Sequence, residues 1–346
     1  MARGLIAAAL AACLVSGTAL TASPVASGEI APPRGLVQWT TGNPADAGVA
    51  PRGGPALLLM GGSTEVDIAF AQRVLPIANG GDVVVLRTTP RDGYNAYFFT
   101  LVDGPLRPDS VQTLVVDTVD KANSDYVAQA VANAEFVFLA GGDQSTYINA
   151  WKGTRVQTAI RTAYDRGAVV GGTSAGLAVL GEYIYDPDGV EGAVSRDVLA
   201  NPYHPTVALT HGFLGFPLLQ GVLTDTHFRE RDRMGRMLGF MARLRADGVA
   251  PSVVAMGVDE STTLFVDHDG RAVVDGQGAV YVVRETGATR REQVVPGQPL
   301  VYTGLERIRL RAGQRIDLRT WRHDGDVAPL SVDARDPNAP FAGDPY

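Results

Sequence analysis

Cysteine is nearly absent from this sequence, which carries a single one, Cys13, close to its N-terminus. If the segment around Cys13 is removed on export, the remaining chain has no thiol. That chain forms no disulfide bond and binds no metal through thiolate ligands. A cysteine nucleophile is excluded for the same reason.

Basic patches are also missing, because the formal net charge is −7 and no run of lysine or arginine stands out. Nucleic acids and anionic membrane surfaces are therefore poor candidate partners. The sequence has no Gly-x-Gly-x-x-Gly fingerprint after a strand and no Walker-type phosphate loop. Both absences argue against a bound nucleotide cofactor.

The first 27 residues are typical of a signal peptide. Arg3 supplies a positive start, an apolar run follows, and small residues lead to a cleavage site after Ser27 and before Gly28. The apolar run is short for a membrane span, which favours a cleaved signal over an anchor. We expect an exported protein, secreted or periplasmic, with no membrane span after cleavage.

The stretch Leu10–Cys13 reads "LAAC", the form of a bacterial lipoprotein signal in which Cys13 would carry the lipid. The apolar sequence continues past Cys13 to Leu20, which fits a simple secretory signal better. Lipid attachment therefore stays open as the less favoured alternative to soluble export.

Short apolar runs alternate with segments of helical spacing from residue 54 onward. Buried strands separated by helices predict an α/β fold, with a mostly parallel sheet sandwiched by helices. After about residue 252, strands joined by turns predict a β-rich C-terminal extension. The expected organisation is a signal peptide (1–27), a leader or edge segment (28–53), an α/β domain that carries the candidate site (54–285), a β-rich part packed on that domain (286–325) and a tail (326–346).

Three predicted strands end in a glycine pair, at Gly61-Gly62, Gly141-Gly142 and Gly171-Gly172. In an open α/β sheet, ligands collect at the carboxyl ends of the strands. Glycine lets backbone N–H groups approach such a ligand, although a glycine pair also simply permits a tight turn. Three pairs at equivalent strand ends favour a site.

The third pair leads into Gly-Thr-Ser-Ala-Gly, residues 172–176, between a strand and a helix. Such a turn exposes the serine hydroxyl above the sheet and directs the next N–H at a developing oxyanion. Ser174 is therefore a candidate nucleophile and Ala175 a candidate oxyanion donor. The alternative is a small polar residue at a tight turn.

A serine nucleophile needs a base, and His227 is the best placed of the five histidines. It follows the apolar pair Val222-Leu223 and precedes an arginine-rich helix, so we expect it at a strand end near Ser174. A capping or loop histidine is the alternative interpretation. The other histidines are His204, His211, His268 and His323.

Two acids, Asp259 and Glu260, follow a further apolar strand. One of them is expected to orient His227 and the other to accept backbone N–H groups. The resulting chain order is serine, histidine, acid, whereas α/β-hydrolases have serine, acid, histidine. The ordinary lipase or esterase fold is therefore disfavoured.

Four motifs occur in the order "GGDQ", "GGTSAG", "TDTHFRERDRMGRM" and "GVDES". Together they resemble the cyanophycinase and aspartyl-dipeptidase group of serine peptidases, peptidase family S51, over residues 54–320. The resemblance implies a fold like that of class I glutamine amidotransferases, with serine in place of cysteine. It also implies hydrolysis of aspartyl peptide bonds, of the β-Asp-Arg type, through an acyl-enzyme and without metal or cofactor.

The resemblance further implies a role for each matching residue. Ser174 matches the nucleophile, His227 the general base and Glu260 the triad acid. Gly142 and Ala175 match the two oxyanion-hole donors. The positions that match substrate contacts are Gln144, Asp225, Thr226, Arg233 and Arg236.

The chain departs from the family pattern at Thr226, where the family typically has glutamine between Asp225 and His227. Loss of that long amide leaves the nucleophile machinery intact but leaves the substrate open. Residues 89–110 make a long connection, which is interpreted as a lid or a wall over the site.

Two other functions stay open, an aspartyl or isoaspartyl dipeptidase of the same fold and a non-catalytic exported binding protein. The expected partner is a peptide or polypeptide with an aspartyl linkage. A homodimer is a common arrangement among soluble proteins, but no sequence feature decides the oligomeric state.

Overall fold

The structure is a computed structural model that describes Met1 and residues 30–346. The expected signal peptide, with Cys13 and the cleavage site before Gly28, lies outside the described residues. The chain divides into a unit of Met1–Ala31 and a unit of Pro32–Tyr346, and the fold belongs to the second unit.

Strands and short helices alternate along the chain. Residues 30–346 form sixteen strands: β1 (Val37–Gly42), β2 (Ala56–Met60), β3 (Asp82–Arg87), β4 (Ser110–Val115), β5 (Phe136–Leu139), β6 (Val169–Thr173), β7 (Tyr183–Tyr185), β8 (Leu209–His211), β9 (Val222–Asp225), β10 (Val254–Val258), β11 (Thr262–Val266), β12 (Arg271–Gly276), β13 (Ala279–Gln293), β14 (Val301–Arg311), β15 (Arg315–Asp317) and β16 (Asp326–Asp333). The α-helices are α1 (Asp67–Ala69), α2 (Leu75–Ala78), α3 (Asn95–Thr100), α4 (Val119–Ala122), α5 (Asp125–Asn133), α6 (Gln144–Trp151), α7 (Arg155–Asp165), α8 (Ala175–Ala178), α9 (Ser195–Ala200) and α10 (Met234–Ala246).

A nine-stranded sheet has the order β1-β4-β3-β5-β6-β2-β11-β12-β15. Its centre, from β4 to β2, is parallel. Every residue of β2, β3, β5 and β6 is buried. Helices cover parallel strands on both faces, which is why these strands are continuously apolar in sequence rather than alternating. The expected α/β fold with a mostly parallel sheet is confirmed.

A second, seven-stranded sheet has the order β16-β14-β13-β10-β9-β7-β8. Strand β9 is parallel to β7 and β10, and the other pairs are antiparallel. The strands after residue 252, expected as one β-rich extension, divide between the two sheets. Strands β11, β12 and β15 extend the first sheet from β2, while β13, β14 and β16 build the second.

The long connection at residues 89–110 packs into the core through its helix α3, whereas residues 89–93 are exposed. Its helix α3 places Phe98, which is fully buried, in an aromatic cluster with Phe70, Phe136 and Phe138. Ring centroids in this cluster lie 5.1–6.3 Å apart, mostly edge to face. The cluster covers one face of the parallel strands, and α5, α6 and α7 cover the other.

The boundaries expected at residues 285 and 326 do not separate structural units. Strand β13 runs across residue 285, and β16 begins at Asp326 and pairs with β14. The segment 326–346, expected as a tail, instead contains buried apolar residues, Leu330 and Val332 among them, despite its Pro- and Asp-rich composition. Both side chains join the hydrophobic core of the second sheet.

Tyr346 is also packed, with 9 % of its surface exposed. Its ring lies against Phe228 and Tyr281, with centroids at 5.8 and 5.6 Å. Its hydroxyl donates to the Asp232 carboxylate at 2.8 Å and accepts from the Met234 N–H at 3.0 Å. The segment after β16 therefore supports the turn that follows His227.

The segment expected as a leader contributes an edge strand. Strand β1 pairs antiparallel with β4 along its whole length. The N–H of Ala47 donates to the Asp82 carboxylate at 2.9 Å, which ties the following loop to β3. No helix within residues 30–346 combines the length and apolar character that a membrane span requires.

Candidate active site

Ser174 occupies a strained turn between β6 and α8. Its backbone has φ 53° and ψ −119°, a conformation that non-glycine residues rarely adopt. A Cβ at Gly172 would lie 2.3 Å from the Gly176 carbonyl, and one at Gly176 would lie 2.0 Å from the Leu139 oxygen. The two glycines of the motif are therefore required by close backbone contacts, as a nucleophile elbow demands.

His227 follows β9 and also has a positive φ, 43°. Its N–H donates to the Gly61 carbonyl at 2.9 Å. A Cβ at Gly62 would lie 2.3 Å from Cε1 of the imidazole. The glycine pair after β2 thus leaves space for the His227 ring. The sequence instead predicts that this pair contacts a ligand.

Three side chains form one hydrogen-bonded line. Ser174 Oγ lies 2.8 Å from His227 Nε2, and His227 Nδ1 lies 2.6 Å from Glu260 Oε1. A carboxylate only accepts, so Nδ1 carries the proton and Nε2 accepts from the serine hydroxyl. The sequence-predicted residues Ser174, His227 and Glu260 are thereby brought together.

Burial lowers the pKa of His227, although its hydrogen bond to Glu260 opposes the shift. The imidazole is therefore neutral at neutral pH, as a proton acceptor must be. The hydrogen bond from His227 lowers the pKa of Glu260, so this partly exposed acid is a carboxylate under the same conditions.

Asp259 has a different environment from its neighbour Glu260. Its two oxygens accept the backbone N–H groups of Arg229 and Ala279, at 2.9 and 3.0 Å. Burial raises the pKa of Asp259 to about 6. Asp259 thus holds the backbone around the site, while Glu260 alone contacts the imidazole.

The line of three side chains joins the two sheets. Ser174 follows β6 of the first sheet, His227 follows β9 of the second, and Glu260 lies where the chain passes from β10 to β11. Backbone hydrogen bonds from Ser261 to Gly62 (2.8 Å) and from Gly61 to Thr262 (3.0 Å) fix this junction. The site therefore exists only when both sheets are in place.

A pocket of about 150 Å³ opens beside Ser174. Among the residues that the structure describes, none from the long connection at 89–110 lines this pocket. The predicted site residues that line it are Gly142, Gln144, Ser174, Ala175, Asp225, Thr226, Arg233 and Arg236. The amide of Gln144 donates to the Tyr185 carbonyl at 3.1 Å, so this side chain is part of the pocket wall.

Asp225 is fully engaged by two arginines of the same pocket. Arg236 binds it in a bidentate manner, Nε to Oδ2 at 2.8 Å and Nη2 to Oδ1 at 2.5 Å, and Arg233 Nη1 lies 3.3 Å from Oδ1. Burial opposes ionisation, but Arg236 and Arg233 lower the pKa of Asp225 below its usual value. Asp225 and Arg236 therefore form an ion pair with each other. The sequence instead predicts that both contact the substrate.

Thr226, the departure from the family pattern, also has a local role. Its hydroxyl accepts from Arg233 Nη1 at 3.1 Å, and its carbonyl accepts from the same nitrogen at 2.8 Å. Burial lowers the pKa of Arg233 to about 10. Arg233 is thus anchored by backbone, hydroxyl and carboxylate oxygens.

Arg231 is the charged residue among the pocket residues that sequence reasoning misses. It lines the pocket and is exposed, and within residues 30–346 its guanidinium has no carboxylate partner. The signal was its place in the third motif, as the second arginine after His227 and two residues ahead of Arg233. Asp225 supplies a single negative charge against Arg231, Arg233 and Arg236, so the pocket beside Ser174 has an excess of positive charge.

Comparison with known proteins gives a family match and a shared fold. The sequence model of the family described as "Peptidase family S51" matches residues 97–272. A solved structure, a peptidase from an acI-B1 Actinobacterium, superimposes with a TM-score of 0.51 at 16 % identity and covers 76 % of this chain and 97 % of its own. At that identity the likeness shows the fold alone.

Two cyanophycinases are similar to the chain over a shorter stretch. The cyanophycinase of Trichormus variabilis is 29 % identical over 213 residues, which cover 61 % of this chain and 66 % of the relative. The cyanophycinase of Synechococcus elongatus is 29 % identical over 223 residues, covering 63 % and 64 %. The match thus spans slightly less than two thirds of the length of these relatives.

Proposed function

Because this chain belongs to peptidase family S51, we propose that it is a serine peptidase that hydrolyses aspartyl peptide bonds of the β-Asp-Arg type. The observation that carries the proposal is the line from Ser174 Oγ through His227 to Glu260, with contacts of 2.8 and 2.6 Å. The similarity to cyanophycinases supports the choice of substrate.

In the first half-reaction, His227 Nε2 takes the proton of Ser174 as Oγ bonds to the substrate carbonyl carbon. The carbonyl oxygen becomes an oxyanion, which the N–H groups of Gly142 and Ala175 stabilise. The imidazolium then gives its proton to the leaving amine as the C–N bond breaks. Glu260 stabilises the imidazolium charge and keeps the ring oriented.

In the second half-reaction, water replaces the amine. His227 takes a proton from the water, and the water oxygen bonds to the acyl carbon. The bond to Ser174 Oγ breaks, and the serine regains its proton from the imidazolium. The free carboxylic acid leaves, and the three side chains return to their starting protonation states.

Substrate recognition is proposed to rest on Arg231 and Arg233. A guanidinium binds a carboxylate through two parallel N–H donors, and Arg231 is the exposed one of the two. Asp225 and Arg236 act behind them, because their mutual ion pair keeps Arg233 in place.

Covalent labelling of Ser174 by a fluorophosphonate tests the nucleophile, with Ser174→Ala as the unlabelled control. Cyanophycin and short Asp-X peptides then test the substrate side by side. Release of Asp-Arg dipeptides from cyanophycin supports the proposal, whereas cleavage of Asp-X peptides alone makes the protein an aspartyl dipeptidase. If Ser174 of the folded wild type is not labelled and neither substrate is cleaved, the proposed catalysis is refuted. The binding-protein alternative would then be favoured.

Export is a further part of the proposal, supported by the character of residues 1–27. Intact mass of the protein from an exporting host is expected to place the new N-terminus at Gly28. A lipid adduct on Cys13, lost in Cys13→Ser, would instead show membrane attachment. Retention of the full-length chain in the cytoplasm would contradict export.

A further inference from the structure

A buried tyrosine holds the loop that follows β5 from below. Tyr147, on the first turn of α6, is fully buried, and its hydroxyl lies 2.8 Å from the Ala140 oxygen and 3.2 Å from the Gly141 oxygen. Its ring is stacked on Trp151, with centroids 4.4 Å apart and planes 7° from parallel. The Trp151 indole N–H donates in turn to the Val116 carbonyl at 2.7 Å. The hydroxyl is therefore fixed in position beneath the loop.

This contact determines the direction of a neighbouring N–H group. The carbonyl of Gly141 and the N–H of Gly142 belong to one trans peptide unit, which is planar and has its C=O and N–H pointing in opposite directions. Because Tyr147 holds the carbonyl towards the core, the Gly142 N–H is turned to the other side. Gly142 and Ser174 line the same pocket, so an N–H of this loop that is turned away from the core is directed to the pocket side. No acceptor within residues 30–346 meets this N–H in a backbone hydrogen bond.

We propose that Tyr147 is a positioning residue that aims the Gly142 N–H at the oxyanion, an inference that rests on the proposed acyl-transfer function. The hydroxyl has one proton, which it shares between the Ala140 carbonyl at 2.8 Å and the Gly141 carbonyl at 3.2 Å, because carbonyls only accept. Burial raises the pKa of Tyr147, so its proton is retained throughout the neutral range. Tyr147 does not touch the substrate and acts through the loop.

The Tyr147 hydroxyl occupies the space that a side chain at residue 142 would need. A Cβ at Gly142 would lie 2.9 Å from the hydroxyl oxygen, closer than such atoms come in proteins. The φ of Gly142 lies outside the left-handed region, so contact with Tyr147 and not backbone strain is what requires glycine here. Changes at either residue should therefore move the same peptide unit.

The test is the rate of fluorophosphonate labelling of Ser174 across pH, measured on full-length protein. Tyr147→Phe removes the hydroxyl and keeps the stacked ring. We expect its plateau rate to fall about 10- to 100-fold, since losing an oxyanion donor outright costs about 10²–10³. The pH midpoint should stay at the wild-type value, because His227 and Glu260 are untouched. A general loosening of the site would change both the plateau rate and the pH midpoint.

Tyr302→Phe is the matched control. Tyr302 is also fully buried, and its hydroxyl donates to Glu285 at 2.8 Å in the second sheet, away from the pocket. Its plateau rate is expected to equal that of the wild type. A Tyr147→Phe rate indistinguishable from the Tyr302→Phe rate would overturn the inference.

Gly142→Ala is a second test in case Tyr147→Phe does not fold. Its Cβ displaces the hydroxyl, so the plateau rate should again fall with the pH midpoint unchanged. A Gly142→Ala rate equal to wild type would also overturn the inference. A folded wild type that does not label would contradict the proposed function itself, so the two failures are distinguishable.

Discussion

Replacing Asp225 by asparagine tests the buried ion pair behind the pocket. The variant keeps the shape of the side chain but removes its charge and turns an NH₂ group towards the guanidinium donors of Arg236. Arg236 is 5 % exposed. Its remaining partners are the Ala193 carbonyl at 3.1 Å and the faces of Tyr185 and Phe240, with centroids 5.0 and 5.8 Å away.

The expected loss of unfolding free energy is about 3–5 kcal/mol, the usual cost of leaving one buried ion without its partner. Urea denaturation followed by circular dichroism measures it at neutral pH. The pKa of Asp225 is lowered by folding, so its stabilisation is fully present above its unfolded value. It is lost as pH falls through the folded value, which lies below 3.8. The difference between wild type and Asp225→Asn should therefore narrow in strong acid.

Asp247→Asn is the matched control for this experiment. Asp247, which follows the last residue of α10, pairs with Arg243 at 2.9 Å near the surface, and ion pairs near the surface contribute about 0–1 kcal/mol. The double variant Asp225→Asn with Arg236→Met should regain part of the lost stability, because the unpaired charge of Arg236 is removed while Arg233 keeps the Thr226 carbonyl and hydroxyl as acceptors. If Asp225→Asn costs no more than Asp247→Asn, the reasoning about the buried pair is refuted.

Three further predictions concern the site itself. The rate of fluorophosphonate labelling should rise with pH through a midpoint below 6.5 and then level off, because burial lowers the pKa of His227; a midpoint above 6.5 would contradict this. Gly62→Ala should abolish labelling, since its Cβ meets the imidazole at 2.3 Å, whereas Gly93→Ala, with nothing within 4 Å, should label like wild type. Arg231→Ala should raise KM for an aspartyl substrate about tenfold at unchanged kcat. The control Arg229→Ala should leave KM at the wild-type value. If Arg231→Ala also has the wild-type KM, Arg231 does not bind the substrate.

The strands could be predicted from the sequence better than their arrangement. Five consecutive apolar residues at Ala56–Met60 predict a buried strand, because only a covered sheet hides every side chain. They do not show that β2 pairs with β11, whose partner residue Thr263 is far away in the sequence. Pairings of that kind, and hence the division into two sheets, depend on the packing of the whole chain.

Each reacting residue could be predicted because it follows an apolar strand, and sites in α/β proteins collect at strand ends. That the strands before Ser174 and His227 belong to two different sheets could not be predicted. The motifs also predict membership of peptidase family S51, which the family match confirms. The partner of Asp225 could not be read in this way. The third motif offers several arginines in close succession, and only folding decides that Arg236 closes on Asp225 while Arg231 is left exposed.

The supporting residues left weaker signals. Tyr147 sits in an ordinary amphipathic helix, and its spacing from Gly142 carries no known signature. Tyr346 lies in a stretch whose composition suggests disorder, yet its hydroxyl is tied to Asp232 and Met234. Such residues act through one or two contacts made over long sequence distances, which local pattern does not encode.

The junction of the two sheets has a consequence for biosynthesis. A ribosome that has made β6 has already supplied the Ser174 hydroxyl, but His227 and Glu260 follow only with β9 and β10. A nascent or unfolded chain therefore holds a serine as unreactive as any other in water. Proteolytic competence would arise only after β9 and β10 have been made and have docked beside the first sheet, and not as soon as the nucleophile is synthesised.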